Sequence, residues 1–245
     1  IAATSDLVVM VKDGSYYLSK DDEGGKPDVL AEDEADALAK TKALLSYLPS
    51  NNLAAPPVYE SAAAPMGACA AAGDCPAAVA DPGTLLVLSE GSACVTAFGQ
   101  VDGMACGLVT LTGDSVCGCT ASRVARFVRL CDAFSLPVLT FVDAAGFQGI
   151  KGAAKLSQAY TEATTAKISV ITGRAYGPVY IAVAGKLAGA DAVLAWPQAV
   201  ISPRFSMQMV AAKLLPPGAA QRSRMASPGL GSRIAAGAMA DGSCI

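Results

Sequence analysis

The sequence predicts an α/β fold built of stacked layers, and three observations predict it. Between Arg123 and Pro197 short apolar runs alternate with amphipathic segments, the order expected of strands and helices laid down in series. Two of the runs end in glycine turns, Asp143-Ala144-Ala145-Gly146-Phe147 and Arg174-Ala175-Tyr176-Gly177-Pro178-Val179-Tyr180. Ahead of them Asp102-Gly103 separates Cys94–Phe98 from Met104–Leu111, which marks a hairpin.

Leu7–Lys12 reads as a buried strand end, and Ser15–Lys26, polar and glycine-bearing, as a loop. Glu32–Leu48 is the clearest amphipathic helix, with Ala35, Leu38, Leu45 and Leu48 near one face and an acidic first turn suited to the helix dipole. Pro49 stops it. The alanine- and proline-rich stretch Asn51–Pro82 has little periodicity and reads as a linker. Thr120 can cap a helix running through Phe134, and Pro137 opens the strand Val138–Val142. Gly152–Ala163 is helical and Lys167–Ile171 a strand. Pro178 suits the first turn of a helix toward Lys186. Ala192–Trp196 is another short strand, and small helices are expected near Met207–Leu215 and Arg233–Ala240.

Composition narrows the function. Of 245 residues, 53% are hydrophobic and only 16% charged, against roughly 25% charged in an average soluble protein. The surplus apolar surface belongs in a membrane or against other subunits. The most apolar window, Gly177–Ile201, is broken by Gly185, Gly189 and Pro197 and carries Lys186 and Asp191 near its middle. It makes a poor span, so large subunit interfaces are the expectation. A net charge of −3, a pI near 5.0 and the lack of any basic run argue against nucleic-acid binding. The segment Ile1–Asp6 has neither the basic flank nor the apolar core of a signal peptide, and a cytoplasmic location is expected.

Eight cysteines include the pairs Cys117/Cys119 and Cys69/Cys75. With no histidine in the chain a zinc site lacks its usual partners, and a disulfide framework belongs to smaller secreted chains. The cysteines are expected to pack as free thiols, and no metal is expected. The absence of histidine also removes the usual Ser-His-Asp or Cys-His relay and any imidazole base. Chemistry then falls to backbone donors, carboxylates, lysines or a base carried on the substrate. A strand that ends in glycine and opens a helix leaves N–H groups pointing outward, where they hold a phosphate or an oxyanion. Asp143 reads equally as an N-cap or a catalytic carboxylate. Lys155 and Lys167 read as solvated element ends rather than phosphate ligands.

Certain of these residues resemble a known family. Arg126-Phe127-Val128-Arg129-Leu130-Cys131-Asp132-Ala133-Phe134, then Leu136-Pro137, then Val142-Asp143 and Gly146-Phe147, are similar to the C-terminal domain of biotin-dependent acyl-CoA carboxyltransferases. These are subunits of acetyl-, propionyl- and methylmalonyl-CoA carboxylases and related decarboxylases. Gly152-Ala153-Ala154-Lys155-Leu156, Tyr160 with Glu162-Ala163-Thr164, Ala175-Tyr176-Gly177, Gly189-Ala190-Asp191 and Ala195-Trp196-Pro197 continue the resemblance. Leu44–Asn52 resembles the segment that closes the family's N-terminal domain.

The resemblance implies two crotonase-like domains of ββα superhelix type: residues 1–57 as the end of an N-terminal one, 58–82 as a linker and 83–245 as the C-terminal carboxyltransferase domain. It implies transfer of a carboxyl group between carboxybiotin and a short acyl-CoA such as acetyl-, propionyl- or methylmalonyl-CoA. The α subunit of a sodium-pumping decarboxylase and a non-catalytic structural subunit are the alternatives. Biotin on a carrier and a coenzyme A thioester are the implied cofactor and substrate. A biotin carboxyl carrier protein, biotin carboxylase and further copies of the chain, from dimer to hexamer, are the implied partners. Carried over by position, Gly177, Pro178 and Val179 form the biotin-side oxyanion hole with Tyr180 beside them. Ala145, Gly146 and Phe147 line the biotin channel, and Ile181 faces the acyl pocket. The family usually has glycine in place of Pro178 and alanine in place of Val179. Proline has no N–H, so at most the Val179 donor remains.

Overall fold

The 10-residue strand Met104–Gly113 is buried along most of its length, and the rest of the molecule is arranged around it. The computed structural model describes residues 5–17, 27–61, 69, 71–91 and 93–202. The helices expected near Met207–Leu215 and Arg233–Ala240 lie outside the described residues. In chain order the elements are β1 (Val9–Val11), β2 (Val29–Ala31), α1 (Glu34–Tyr47), α2 (Cys75–Val79), β3 (Leu86–Gly91), β4 (Cys94–Val101), β5 (Met104–Gly113), α3 (Gly118–Ala133), β6 (Val138–Ala144), α4 (Ile150–Glu162), β7 (Lys167–Tyr176), β8 (Ala192–Ala195) and β9 (Val200–Ser202).

Strands β3 to β8 lie side by side in one seven-stranded sheet, with β9 beside β7. The pairs β3–β4 and β4–β5 are antiparallel, and β5–β6, β6–β7 and β7–β8 are parallel. Each parallel step needs a crossover, and α3 and α4 supply the first two. The β4–β5 hairpin turns at Asp102 and Gly103, both at positive φ (52° and 77°), as a two-residue primed turn demands. The buried carboxylate of Asp81 accepts from both of their N–H groups, at 3.2 and 2.8 Å.

Apolar side chains fill both faces of the sheet. On one, Phe98, Val109, Leu111, Val138, Val142 and Ile171 meet α3 and α4 through Val124, Phe127, Val128, Leu156 and Tyr160. On the other, Leu108 and Phe141 pack with Cys75, Ala72 and Cys106. Central strands buried on both faces read as continuous apolar runs, as Val138–Val142 does. Tyr160 is wholly buried and pairs its hydroxyl with Thr140 at 2.8 Å.

Several expectations are corrected. The helix α1 forms behind the cap Asp33, whose carboxylate accepts from the Asp36 N–H at 2.7 Å. It buries Leu44 and Tyr47, while Leu38 and Leu45 are 66% and 61% exposed. The aromatic contacts Tyr47–Phe98 and Phe98–Phe127, at 5.8 and 5.1 Å between ring centroids, decide which face turns inward. The cap of α3 is Cys117, whose Sγ accepts from the Thr120 N–H at 3.3 Å, so the helix starts at Gly118 ahead of Thr120. Cys117 is disulfide-bonded to Cys119, contrary to the free thiols expected there. Cys75, Cys94, Cys106 and Cys131 are free and buried as expected. Within the stretch read as a linker, Val58 bridges Met104 and α2 buries Cys75 and Pro76.

Strand β7 runs to Tyr176, beyond the expected Ile171. Past it the chain makes a π-helical turn over Tyr180–Ala184 and a 3-10 turn over Lys186–Ala188 rather than one helix to Lys186. Among the described residues no helix is long and apolar enough to cross a membrane.

Candidate functional site

Because β5, β6 and β7 are parallel neighbours, their C-terminal ends open on the same edge of the sheet. Ala144 pairs with Ala175, so the two predicted glycine turns begin immediately past paired positions. Ligands of open α/β sheets bind at such carboxyl ends.

The turn after β6 is stapled to the loop after β5. The Ala145 N–H donates to the Gly113 carbonyl (3.0 Å), the Val116 N–H to the Gly146 carbonyl (2.8 Å), and the Gln148 N–H to the Val116 carbonyl (2.9 Å). A Cβ placed on Gly146 would meet only the Asp114 carbonyl oxygen, at 3.8 Å. That side of the turn has room. The ring of Phe147 packs against the main core.

The turn after β7 is anchored on β9. Gly177 stands at φ 46° and donates its N–H to the Ser202 carbonyl at 2.7 Å. Its own carbonyl accepts from the Ile181 N–H at 3.1 Å. A helical stretch therefore opens at Pro178, with Val179 in right-handed helical geometry and the whole residue, backbone included, buried. The N–H of a first-turn residue has no acceptor within the helix. Pro178 offers none, which leaves that of Val179. The ring of Tyr180 packs against the main core, and Ile181 is 44% exposed.

Beneath both turns lies an ion-pair cluster that sequence reasoning missed. Asp143 Oδ1 accepts from the backbone N–H of Arg174 at 2.8 Å and from its Nε at 3.0 Å. Arg174 Nη1 donates to Asp114 Oδ1. Hydrogen bonds to Asp143 first, and then to Asp114, push the guanidinium pKa further up. Asp143 is thus not the cap of α4, a position held by Gly149. The signal available was Gly173-Arg174 directly after an apolar run, too common a pair to single out. Lys155 is exposed as expected, but Lys167 is 5% exposed and gives its ammonium to the Ala163 carbonyl at the end of α4. That contact suits the negative end of the helix dipole.

The structure accordingly gathers Ala145, Gly146 and Phe147 at one strand end and Gly177, Pro178, Val179, Tyr180 and Ile181 at its neighbour. Among the described residues no acidic, cysteine or histidine cluster of three could hold a metal. What the edge offers chemically is backbone donors in a site without an imidazole.

A mixed sheet crossed by packed helices, with backbone turns at adjacent strand ends, is a crotonase-like α/β fold. The chain belongs to the carboxyl transferase domain family, which matches residues 22–215. It is 36% identical over 215 residues to the propionyl-CoA carboxylase beta chain of Saccharopolyspora erythraea, covering 73% of this chain and 39% of that one. It is 33% identical over 201 residues to the methylmalonyl-CoA decarboxylase subunit alpha of Veillonella parvula, covering 70% of this chain and 40% of that one. The crystal structure of transcarboxylase 12S, a hexamer with hydrolysed methylmalonyl-coenzyme A bound, matches with a TM-score of 0.74 at 25% identity, over 96% of this chain and 56% of that chain. The chain spans about 40% of the length of these two curated relatives.

Proposed function

We propose that the protein is a carboxyltransferase subunit that moves a carboxyl group between carboxybiotin and a short acyl-CoA. The single observation that carries this reading is the pair of backbone turns, Gly146 and Gly177–Val179, at the register point Ala144–Ala175 of two parallel strands. Residues 1–57 are read as the end of an N-terminal crotonase-like domain and 83–245 as the C-terminal domain, joined by the 58–82 segment, whose α2 packs against the C-terminal sheet.

The residues present fit biotin. Its ureido ring is flat and carries one carbonyl oxygen, which needs room on one side and a donor on the other. Gly146 leaves the room, and the Val179 N–H at the helix start is the remaining donor, covered in this structure and reached by the oxygen only if the turn shifts. When bound, carboxybiotin would supply an activated carboxyl group, and the ureido nitrogen, freed as its bond to that carboxyl breaks, would be basic enough to take the substrate's proton. The Val179 N–H would hold the ureido oxygen of bound biotin, and fixed dipoles of this kind need no reorganisation during reaction. Pro178 donates no backbone hydrogen bond, and its pyrrolidine ring fixes φ for the helix start. Ala145 and Phe147 form the channel wall, Tyr180 backs the hole and Ile181 faces the acyl group. An apolar residue there suits a short acyl chain.

The partners in this reading are an acyl-CoA, a biotin carboxyl carrier protein, biotin carboxylase and further copies of the chain, in the cytoplasm. The hexamer of transcarboxylase 12S and the exposed leucines of α1 support the assembly. Similarity to a methylmalonyl-CoA decarboxylase alpha subunit supports a second direction, the same transfer run from the carboxylated thioester. Pro178 favours a non-catalytic structural subunit as the remaining reading.

The test is carboxyl transfer from malonyl-CoA and methylmalonyl-CoA to free biotin by the natural polypeptide that contains this chain. Conversion of malonyl-CoA to acetyl-CoA, or of methylmalonyl-CoA to propionyl-CoA, that requires biotin and stops when avidin sequesters it is expected. Conversion indifferent to avidin, or none in an intact oligomer, overturns the proposal.

A further inference from the structure

Strand β7 is irregular where the site begins. Its register with β6 runs regularly to Val142–Ile171 and resumes at Ala144–Ala175. One residue of β6, Asp143, therefore stands opposite Thr172, Gly173 and Arg174. Bulges of this kind bend the longer strand and re-aim the residues beyond them. Here β7 also changes neighbour. Up to Ile171 it pairs with β8, and from Arg174 to Tyr176 it pairs with β9. The Gly177–Val179 turn hangs from the β9-paired part, through the Gly177 N–H on Ser202.

The side chain of Asp143 occupies the bulge. Its Oδ1 takes both the N–H and the Nε of Arg174, while Thr172 Oγ1 donates to the Val142 carbonyl at 3.2 Å. A Cβ on Gly173 would stand 2.5 Å from the same Oδ1, so the carboxylate lies where any other residue would carry its side chain. The guanidinium then reaches past Asp143 to Asp114, the residue that follows β5. Asp114 in turn lays its carbonyl beside Gly146. One arginine ties the ends of three strands.

We infer that Arg174 is a positioning residue for carboxyl transfer, holding the bulge of β7 so that the Gly177–Val179 turn stays in register with the Gly146 turn. The inference rests on the function proposed above. Arg174 does not touch the acyl or biotin group in this reading. Its side chain is 37% exposed, and that of Asp114 is 87% exposed. Ion pairs so open to solvent contribute little to global stability, whereas a displacement of about 1 Å at a reacting centre costs up to roughly a hundredfold in rate. A purely structural ion pair and a positioning one thus predict different readouts.

The variants are Arg174→Met, Arg174→Lys, Asp143→Asn and Gly173→Ala in the natural polypeptide. Each is assayed by transfer kinetics and by amide hydrogen exchange of residues 145–149 and 177–182. Arg174→Met is expected to lower kcat about 10- to 100-fold with the KM for acyl-CoA within about twofold. Exchange should rise in those two segments while β4 and β5 stay protected. Gly173→Ala should reproduce this by displacing Asp143. Arg174→Lys should recover part of kcat, and Arg174→Met with Asp143→Asn together should be no worse than the poorer single variant. Wild-type kcat in Arg174→Met overturns the inference, as does a rise in KM alone or exchange unchanged in both segments. If the wild type shows no transfer, the function proposed above fails by itself. The exchange data then decide whether Arg174 holds the two turns.

Discussion

Gly177 donates its N–H to the carbonyl of Ser202 at 2.7 Å while holding φ at 46°, so the turn that carries Val179 is fixed from β9 as well as by the Ile181 N–H of its own helix. Positive φ costs a residue with a Cβ about 1–2 kcal/mol. Gly177→Ala is expected to lower stability by about that amount, read by urea unfolding. It should lower kcat for carboxyl transfer more than it raises the KM for acyl-CoA.

Phe98 joins the layers. It is fully buried and touches Tyr47 of α1 and Phe127 of α3. Phe98→Ala removes both aromatic contacts and leaves a cavity, and should cost about 3–5 kcal/mol. Thermal unfolding of wild type and variant, compared at one protein concentration, checks the figure.

Burial pushes the Cys94 and Cys106 thiols up to about 12, against about 8.5 for a free cysteine. A raised folded-state pKa means that both states bind the proton at neutral pH and only the unfolded state releases it near pH 9. The stability these thiols contribute is therefore complete below about pH 8.5 and is lost as pH climbs toward 12, at roughly 1 kcal/mol per pH unit for each. Unfolding free energy measured from pH 7 to 11 should fall above pH 9, less steeply in a Cys94→Ala, Cys106→Ala protein. Alkylation at pH 8 should spare both in the folded protein. Cys117 and Cys119 should label only after reduction.

Leu38 and Leu45, two turns apart on the outer face of α1, are mostly exposed, as are Ile150 and Leu187, and Leu194 is about half exposed. Exposed apolar residues at this density mark interfaces. Light scattering of the natural polypeptide should report a dimer or larger, and Leu38→Glu with Leu45→Glu should shift it toward smaller species. A monodisperse wild-type monomer would contradict the assembly.

What the sequence disclosed depended on how local the cause was. Asp102-Gly103 announced its hairpin because a primed turn is a two-residue matter. The helices α3 and α4 and the strands β5 and β6 came from apolar period and from Pro137. Strands β2 and β9 have three residues each, too few for any period to register. Strand β3 was passed over although Leu85–Leu88 is apolar throughout. The face of α1 was misjudged because periodicity finds an apolar stripe but not what covers it. At the site, both glycine turns were readable from strand-then-glycine punctuation. The bulge of β7 was not, since it is made by a carboxylate from another strand. The capping thiol of Cys117 was equally hidden, because Thr120 is the better cap by propensity.

The proposed chemistry turns on one donor. Pro178 removes an N–H that a glycine would offer, leaving Val179 as the donor proposed for the oxyanion. The most direct measurement is kcat for carboxyl transfer to biotin in Pro178→Gly beside wild type, with unfolding curves to verify equal folding. Removing one donor from such a site costs roughly 100- to 1,000-fold in kcat, so a rise of at least tenfold on restoring one, at unchanged acyl-CoA KM, is the predicted result. An unchanged or lower kcat in a folded Pro178→Gly protein would contradict the placing of the oxyanion hole at Gly177–Val179.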